Sequence, residues 1–204
     1  MRTTNTLFPI FLKLDTLHTL IVGGGTVGYE KLFVILKSSP EANVTLVAKK
    51  ISEEIKVLVS NKPYVILIER NFESTDLYNK DLVVLATADR NLHKKIRAMK
   101  EDMKFLINVA DTPDLCDFYL GSIITKGNLK MGISTNGKSP TFAKRLREYF
   151  ETILPEGTEE LINNLNKIRD TLKGDLQYKI KELNMLTSSW LHDKNQKNKM
   201  EELA

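Results

Sequence analysis

An α/β fold, with a parallel sheet covered by helices on both faces, is predicted by three features of the chain. Short runs rich in Leu, Ile and Val recur at residues 17–22, 43–47, 64–68, 82–86 and 105–109. Segments of helical period separate them, and the first run breaks into a cluster of glycines. Strands that are apolar on both sides need a helical layer on each, so this alternation argues for right-handed β-α-β units.

The elements follow in order. Leu7, Phe8, Pro9, Ile10, Phe11 and Leu12 precede the first strand, and the proline favours an extended lead-in or edge strand over a helix. Strand one then fits G-x-G-x-x-G through Gly23, Gly25 and Gly28. The first glycine permits the tight turn, the second lets a pyrophosphate approach the backbone, and the third lets the helix pack close to the strand. Thr26 and Val27 open that helix, whose free N–H groups suit phosphate. Tyr29, Leu32, Phe33 and Leu36 give it an i, i+3, i+4, i+7 stripe. A dinucleotide site is the favoured meaning; the competing one is a glycine turn that serves packing only.

Strand two carries Val44, Leu46 and Val47, and Ile51, Ile55, Leu58 and Val59 recur at helical spacing after it. Residues 64–68 and 82–86 form strands three and four, a polar helix covers about residues 89–101, and residues 105–109 form strand five. In such a sheet ligands collect at the carboxyl ends of the strands. That places residues 23–28, Lys49 and Lys50, Thr87 and Asp111 at one address. An acid that would bond the adenosine ribose is expected about 20 residues beyond the glycines. Ala48, Lys49 and Lys50 stand there instead, so NAD is expected with NADP open. The lysines either accept a 2′-phosphate or are solvated.

Beyond Asp111 the pattern changes. Residues 118–120, 122–125 and 130–135 read as β-segments, with Lys126, Gly127 and Asn128 as a turn. Asn136 and Gly137 signal another turn, and Ser139 with Pro140 forms a helix start. That helix is expected to bury Phe142, Leu146, Tyr149 and Phe150. From Glu156 the chain is helical in pattern, with one stripe through Leu161, Leu165, Ile168 and Leu172 and another through Leu176, Ile180 and Leu183, separated by Gly174. Residues 193–202 are nearly all polar and are expected to fray.

At 204 residues the chain has room for a main domain and an appendage. No apolar run reaches membrane-spanning length and no signal peptide is evident, so a cytoplasmic protein is expected. The single Cys116 excludes an internal disulfide and reads as a small hydrophobe. A net charge of +4 is too modest to argue for nucleic acid. Its placement is informative: Lys126, Lys130, Lys138, Lys144, Arg145 and Arg147 stand against Glu148 alone between residues 124 and 150. This segment either receives a polyanion or is a solvated basic face. His18, His93 and His192 read as structural or solvated, and no metal-ligand spacing is present. Asp111 is the remaining candidate for proton handling, with a turn aspartate as the alternative.

Four matches in order resemble the precorrin-2 dehydrogenase and sirohydrochlorin ferrochelatase family of sirohaem synthesis. They are Leu7-Phe8-Pro9-Ile10-Phe11, Ile21-Val22-Gly23-Gly24-Gly25-Thr26-Val27, Asn108-Val109-Ala110-Asp111-Thr112-Pro113, and Ile133-Ser134-Thr135-Asn136-Gly137-Lys138-Ser139-Pro140 continuing through Ala143 and Leu146-Arg147-Glu148. The resemblance implies a Rossmann domain over residues 1–112, a β-rich dimerisation and substrate segment over 113–148, and a helical domain over 149–204, assembled as a homodimer. It implies that Asp111 is catalytic and that Thr26, Val27, Lys49 and Lys50 contact the dinucleotide, beside Gly23, Gly25 and Gly28 of the spacing motif and Thr87 at the end of strand four. Ser134, Thr135, Gly137 and Lys138 would meet the tetrapyrrole, whose carboxylates suit the basic segment. Precorrin-2 would be oxidised to sirohydrochlorin with NAD, and Fe²⁺ would be a substrate if the chelatase step is present. The length leaves no room for the methyltransferase domain of larger relatives, so methylation is expected elsewhere. An NAD(H)-sensing binding module without tetrapyrrole chemistry is the competing function.

Overall fold

The computed structural model describes residues 4–201, with side chains through residue 188. The His192 side chain, and the side chains of the polar run expected to fray, lie outside the described residues. The chain forms two compact units, one of residues 1–123 and 132–149, the other of residues 124–131 and 150–204.

The first unit is built on five parallel strands in the order β3-β2-β1-β4-β5, that is Val65–Glu69, Asn43–Ala48, His18–Val22, Leu82–Leu85 and Leu106–Val109. β1 is central, with Ile21 paired to Leu46 of β2 and to Val84 of β4. Its side chains alternate between two cores. Ile21 joins Leu32, Ile35 and Leu36 of α1 (Thr26–Ser38) and Ile55 of α2 (Glu53–Val59). Leu20 and Val22 join Ile96 of α3 (Arg90–Met103), together with Phe105 and Ile107. Burial on both faces is why β1, β2, β4 and β5 read as apolar runs, whereas β3 at the sheet edge is only half-buried, with Ile66 exposed. Each fully buried Leu or Ile contributes roughly 1.5–3 kcal/mol.

Of the two readings of residues 7–12 the lead-in holds, since they pair with no strand and are exposed, Phe8 by 86%. Two expectations change. Residues 118–120 are not a strand: Phe118 packs on the α1 core, and Asn108 of β5 holds its carbonyl at 2.8 Å. The helix after Pro140, α4 (Pro140–Ile153), buries Ala143 and half-buries Leu146 and Phe150, while Phe142 and Tyr149 are 56% and 59% exposed. Two apolar stripes compete on this helix, and the one with small Ala143 permits the closer approach.

β6 (Ser122–Lys126) and β7 (Leu129–Ile133) form the hairpin turned at Gly127, whose φ is +56°. In the second unit Lys126 Nζ donates to the Leu154 carbonyl at 2.8 Å, and a Cβ on Gly127 would collide with Glu159. α5 (Thr158–Thr171) and α6 (Leu176–Glu201) pack together after Gly174 turns the chain at φ +139°. Among the described residues no helix is long and apolar enough to cross a membrane.

Candidate dinucleotide site

The strand order reverses direction between β1 and β4, and an open α/β sheet binds its ligand at the carboxyl ends of the strands flanking that point. The glycine loop leaves β1 there. Gly23 has φ +125°, and a Cβ on it would run into the Ala86 carbonyl just after β4. A Cβ on Gly28 would strike the Gly23 carbonyl, so α1 lies against the loop only because this position is glycine. Gly25 differs: a Cβ there meets nothing within 4 Å. It is the N-cap of α1, no side chain caps the helix, and its first turn holds no acid. The amides around Thr26, Val27 and Gly28 are thus left for an anion, with an open approach over Gly25. These residues fit a dinucleotide pyrophosphate.

Gly24, the middle glycine, carries a role the spacing motif missed. Its Cβ would crowd the Lys50 carbonyl at 2.5 Å and Ala48 Cβ at 2.8 Å, and its carbonyl accepts from Ser52 N–H at 2.9 Å. The loop after β2 is thereby tied to the glycine loop, and Ile51 N–H donates to Glu69 Oε1 at 3.0 Å. Lys49 and Lys50 are exposed on this tied loop. The run of three glycines was the available signal.

Thr87 follows β4, with its methyl 3.2 Å from where a Gly23 Cβ would lie. Its hydroxyl is 3.0 Å from His93 Nε2. His93 is buried on the inner face of α3 with Nδ1 unpartnered, so it is structural rather than solvated. Burial lowers its pKa, opposed by Asp89 and the Thr87 backbone carbonyl and aided by Arg90. Asp89 caps α3 by accepting from Asn91 and Leu92 N–H, both at 3.0 Å. His18 is exposed in β1.

Asp111 stands exposed in the turn after β5 at φ +56°, a left-handed conformation that Asp tolerates better than most residues. Behind it, Cys116 Sγ accepts from Val109 N–H at 3.1 Å and lies 3.3 Å from the Val109 carbonyl. Burial raises the thiol pKa, as does Asp117, against the Val109 amide, Lys31 and Arg97. Asp117 accepts from Arg97 and Lys100, each at 2.8 Å, and from Ile107 N–H at 2.9 Å. Burial works to raise its carboxyl pKa, but these donors outweigh it and hold the carboxyl below its usual range.

Residues 134–139 form a tight turn in which Asn136 and Gly137 both have positive φ, +55° and +74°. Lys138 N–H donates to the Thr135 carbonyl at 3.1 Å, and Thr135 Oγ1 accepts from Ser139 N–H at 3.1 Å. Ser139 Oγ accepts from Phe142 N–H at 3.2 Å in the first turn of α4. Ser134, Gly137 and Lys138 are exposed. The basic segment is divided: Lys126 and Lys130 lie in the second unit, the other four cations in the first. Glu148 lies within 4.0 Å of Lys144, Arg145 and Arg147, so one carboxylate faces three cations.

A five-stranded parallel sheet with an uncapped glycine turn at its switch point defines a dinucleotide-binding protein of the Rossmann class. A family model described as "Putative NAD(P)-binding" matches residues 10–122, and one described as "Sirohaem biosynthesis protein central" matches residues 126–152. The chain belongs to the sirohaem biosynthesis family whose putative NAD(P)-binding and central regions these models describe. A siroheme synthase of Psychrobacter cryohalolentis is 34% identical over 183 residues, covering 90% of this chain and 34% of the relative. A siroheme synthase of Vesicomyosocius okutanii is 35% identical over 165 residues, covering 81% of this chain and 35% of its own length. The chain thus spans about a third of the length of the curated relatives it matches. A solved structure of SirC, precorrin-2 dehydrogenase, has the same fold, with TM-score 0.71 and 24% identity over 88% of this chain and 89% of its own.

Proposed function

We propose that the protein oxidises precorrin-2 to sirohydrochlorin with NAD⁺. The observation that carries the proposal is the exposed Asp111 carboxylate at the carboxyl end of β5, on the sheet edge where α1 presents uncapped amides over Gly25. A nicotinamide bound there would supply a hydride acceptor for the tetrapyrrole. Gly25, Thr26, Val27 and Gly28 hold the pyrophosphate by backbone N–H groups, Gly23 shapes the turn beneath them with its own N–H donated to the Val47 carbonyl at 3.0 Å, and Lys49, Lys50 and Thr87 meet the remaining dinucleotide. Asp111 accepts the proton that leaves with the hydride, so the substrate loses two hydrogens and NADH forms. Ser134, Thr135, Gly137 and Lys138 meet the substrate's carboxylates. The residue and domain roles implied by the resemblance, including a dimerisation segment over 113–148, belong to the same proposal, as do a homodimer and a cytoplasmic location.

Purified protein with enzymatically generated precorrin-2 and NAD⁺ is expected to give sirohydrochlorin absorbance and NADH faster than spontaneous oxidation. No acceleration with NAD⁺ or NADP⁺ overturns the reading, and tight NADH binding without turnover favours the sensing module instead. Adding Fe²⁺ to the sirohydrochlorin formed tests metal insertion: protein-dependent loss of the free-base spectrum supports a chelatase step, and an unchanged rate removes it. Asp111→Asn is expected to lower dehydrogenation by roughly 10²–10⁴-fold, the range for a positioned general base, while NADH binding is retained.

A further inference from the structure

His93 is 2% exposed, and its two ring nitrogens are treated differently by the fold. Nε2 lies 3.0 Å from Thr87 Oγ1, whereas Nδ1 is buried with no hydrogen-bond partner. A neutral imidazole has one N–H and one lone pair to distribute between these sites. An orphaned buried N–H is rarer and costs more than an under-used acceptor, so the lone pair belongs at Nδ1 and the proton at Nε2. Burial lowers the imidazole pKa, which favours the neutral ring.

The proton's position decides what the Thr87 hydroxyl can do. A hydroxyl that accepts from His93 keeps its own proton to give elsewhere; one that donates to His93 has none left. Thr87 is half-buried beside Gly23, at the carboxyl end of β4. We infer that His93 is a positioning residue of the dinucleotide site: its Nε2–H donates to Thr87 Oγ1 and leaves the Thr87 O–H free to bond an oxygen of the bound dinucleotide. This rests on the proposed cofactor site. The imidazole touches neither cofactor nor substrate; it acts by fixing the direction of one hydroxyl.

Long-range ¹H–¹⁵N correlation on the cofactor-free protein distinguishes the two tautomers of His93. The Nε2–H form is expected, and the Nδ1–H form overturns the inference. NADH titration supplies the second readout. Losing one such hydrogen bond is expected to weaken binding roughly three- to tenfold in Thr87→Val and in His93→Leu. His93→Gln, whose amide can donate from a similar position, is expected to recover most of that loss. In the Thr87→Val background, His93→Leu is expected to add nothing. Wild-type-like binding by Thr87→Val, or an additive double variant, overturns the inference. If His93→Leu does not fold, the spectrum, His93→Gln and Thr87→Val decide alone. Failure of the wild-type protein to bind NAD(H) or NADP(H) overturns the cofactor site and this inference together, whereas wild-type binding with unaffected variants overturns the inference alone.

Discussion

Asp111 and the glycines separate a side chain's steric demands from its chemical ones. Asp111 sits at φ +56°, where a β-branched residue is strained by about 1–2 kcal/mol and Asn is tolerated. Asp111→Val is therefore expected to lower thermal stability as well as turnover, and Asp111→Asn to lower turnover alone; equal melting temperatures would disprove the backbone part of that account. Gly25 and Gly28 give a second contrast. Gly28→Ala drives a methyl into the Gly23 carbonyl and is expected to cost about 1–3 kcal/mol in denaturant unfolding. Gly25→Ala enters open space, so the fold should keep its stability while NADH affinity falls. The spacing of the glycines made these roles legible because each follows from the lack of a Cβ. The backbone at Asp111 was not legible, since the turn after β5 sets it. His93 was assigned no task in the sequence because its partner, Thr87, is met only when α3 folds back on β4.

Among the elements, α3 and β5 are joined through Asp117, whose side chain is only 16% exposed. Its carboxylate is shared by two cations of α3 and by the Ile107 amide of β5. Its folded pKa is depressed, so the stabilisation is fully present above the ordinary carboxylate value of about 4 and is lost as pH falls through the folded value. Asp117→Asn is expected to lose about 1–2 kcal/mol at pH 7 and to flatten the acid limb of the stability curve. An unchanged acid limb would remove Asp117 from that role. Nothing in the sequence around Asp117 announced this, because its partners are 10 to 20 residues away. α4 was legible in its start at Ser139 and Pro140 but not in its facing, since period alone does not choose between two apolar stripes.

At the scale of the whole molecule, the parallel sheet was readable because strands buried on both faces leave little room for other patterns. The second unit was readable only as helices: its stripes are amphipathic but half-buried at best, so period gives the element and not its contacts. The proposed homodimer is supported by exposed apolar side chains on the first unit, Phe8, Ile10 and Phe11 in the lead-in and Phe142 and Tyr149 on α4. Light scattering on the purified protein is expected to give twice the chain mass, with Phe142→Glu shifting it toward the monomer; a monomeric wild type would rule the dimer out. One further property follows from the bond between Ser52 N–H and the Gly24 carbonyl, continued by Ile51 N–H on Glu69. These two bonds link the loops after β1 and β2 with the end of β3, so the Ser52 and Ile51 amides exchange with solvent only when the links open. Protection of the Ser52 amide should rise when the glycine loop is occupied, although Ser52 lies on the neighbouring connection, making that amide a reporter of loading at a distance from the ligand.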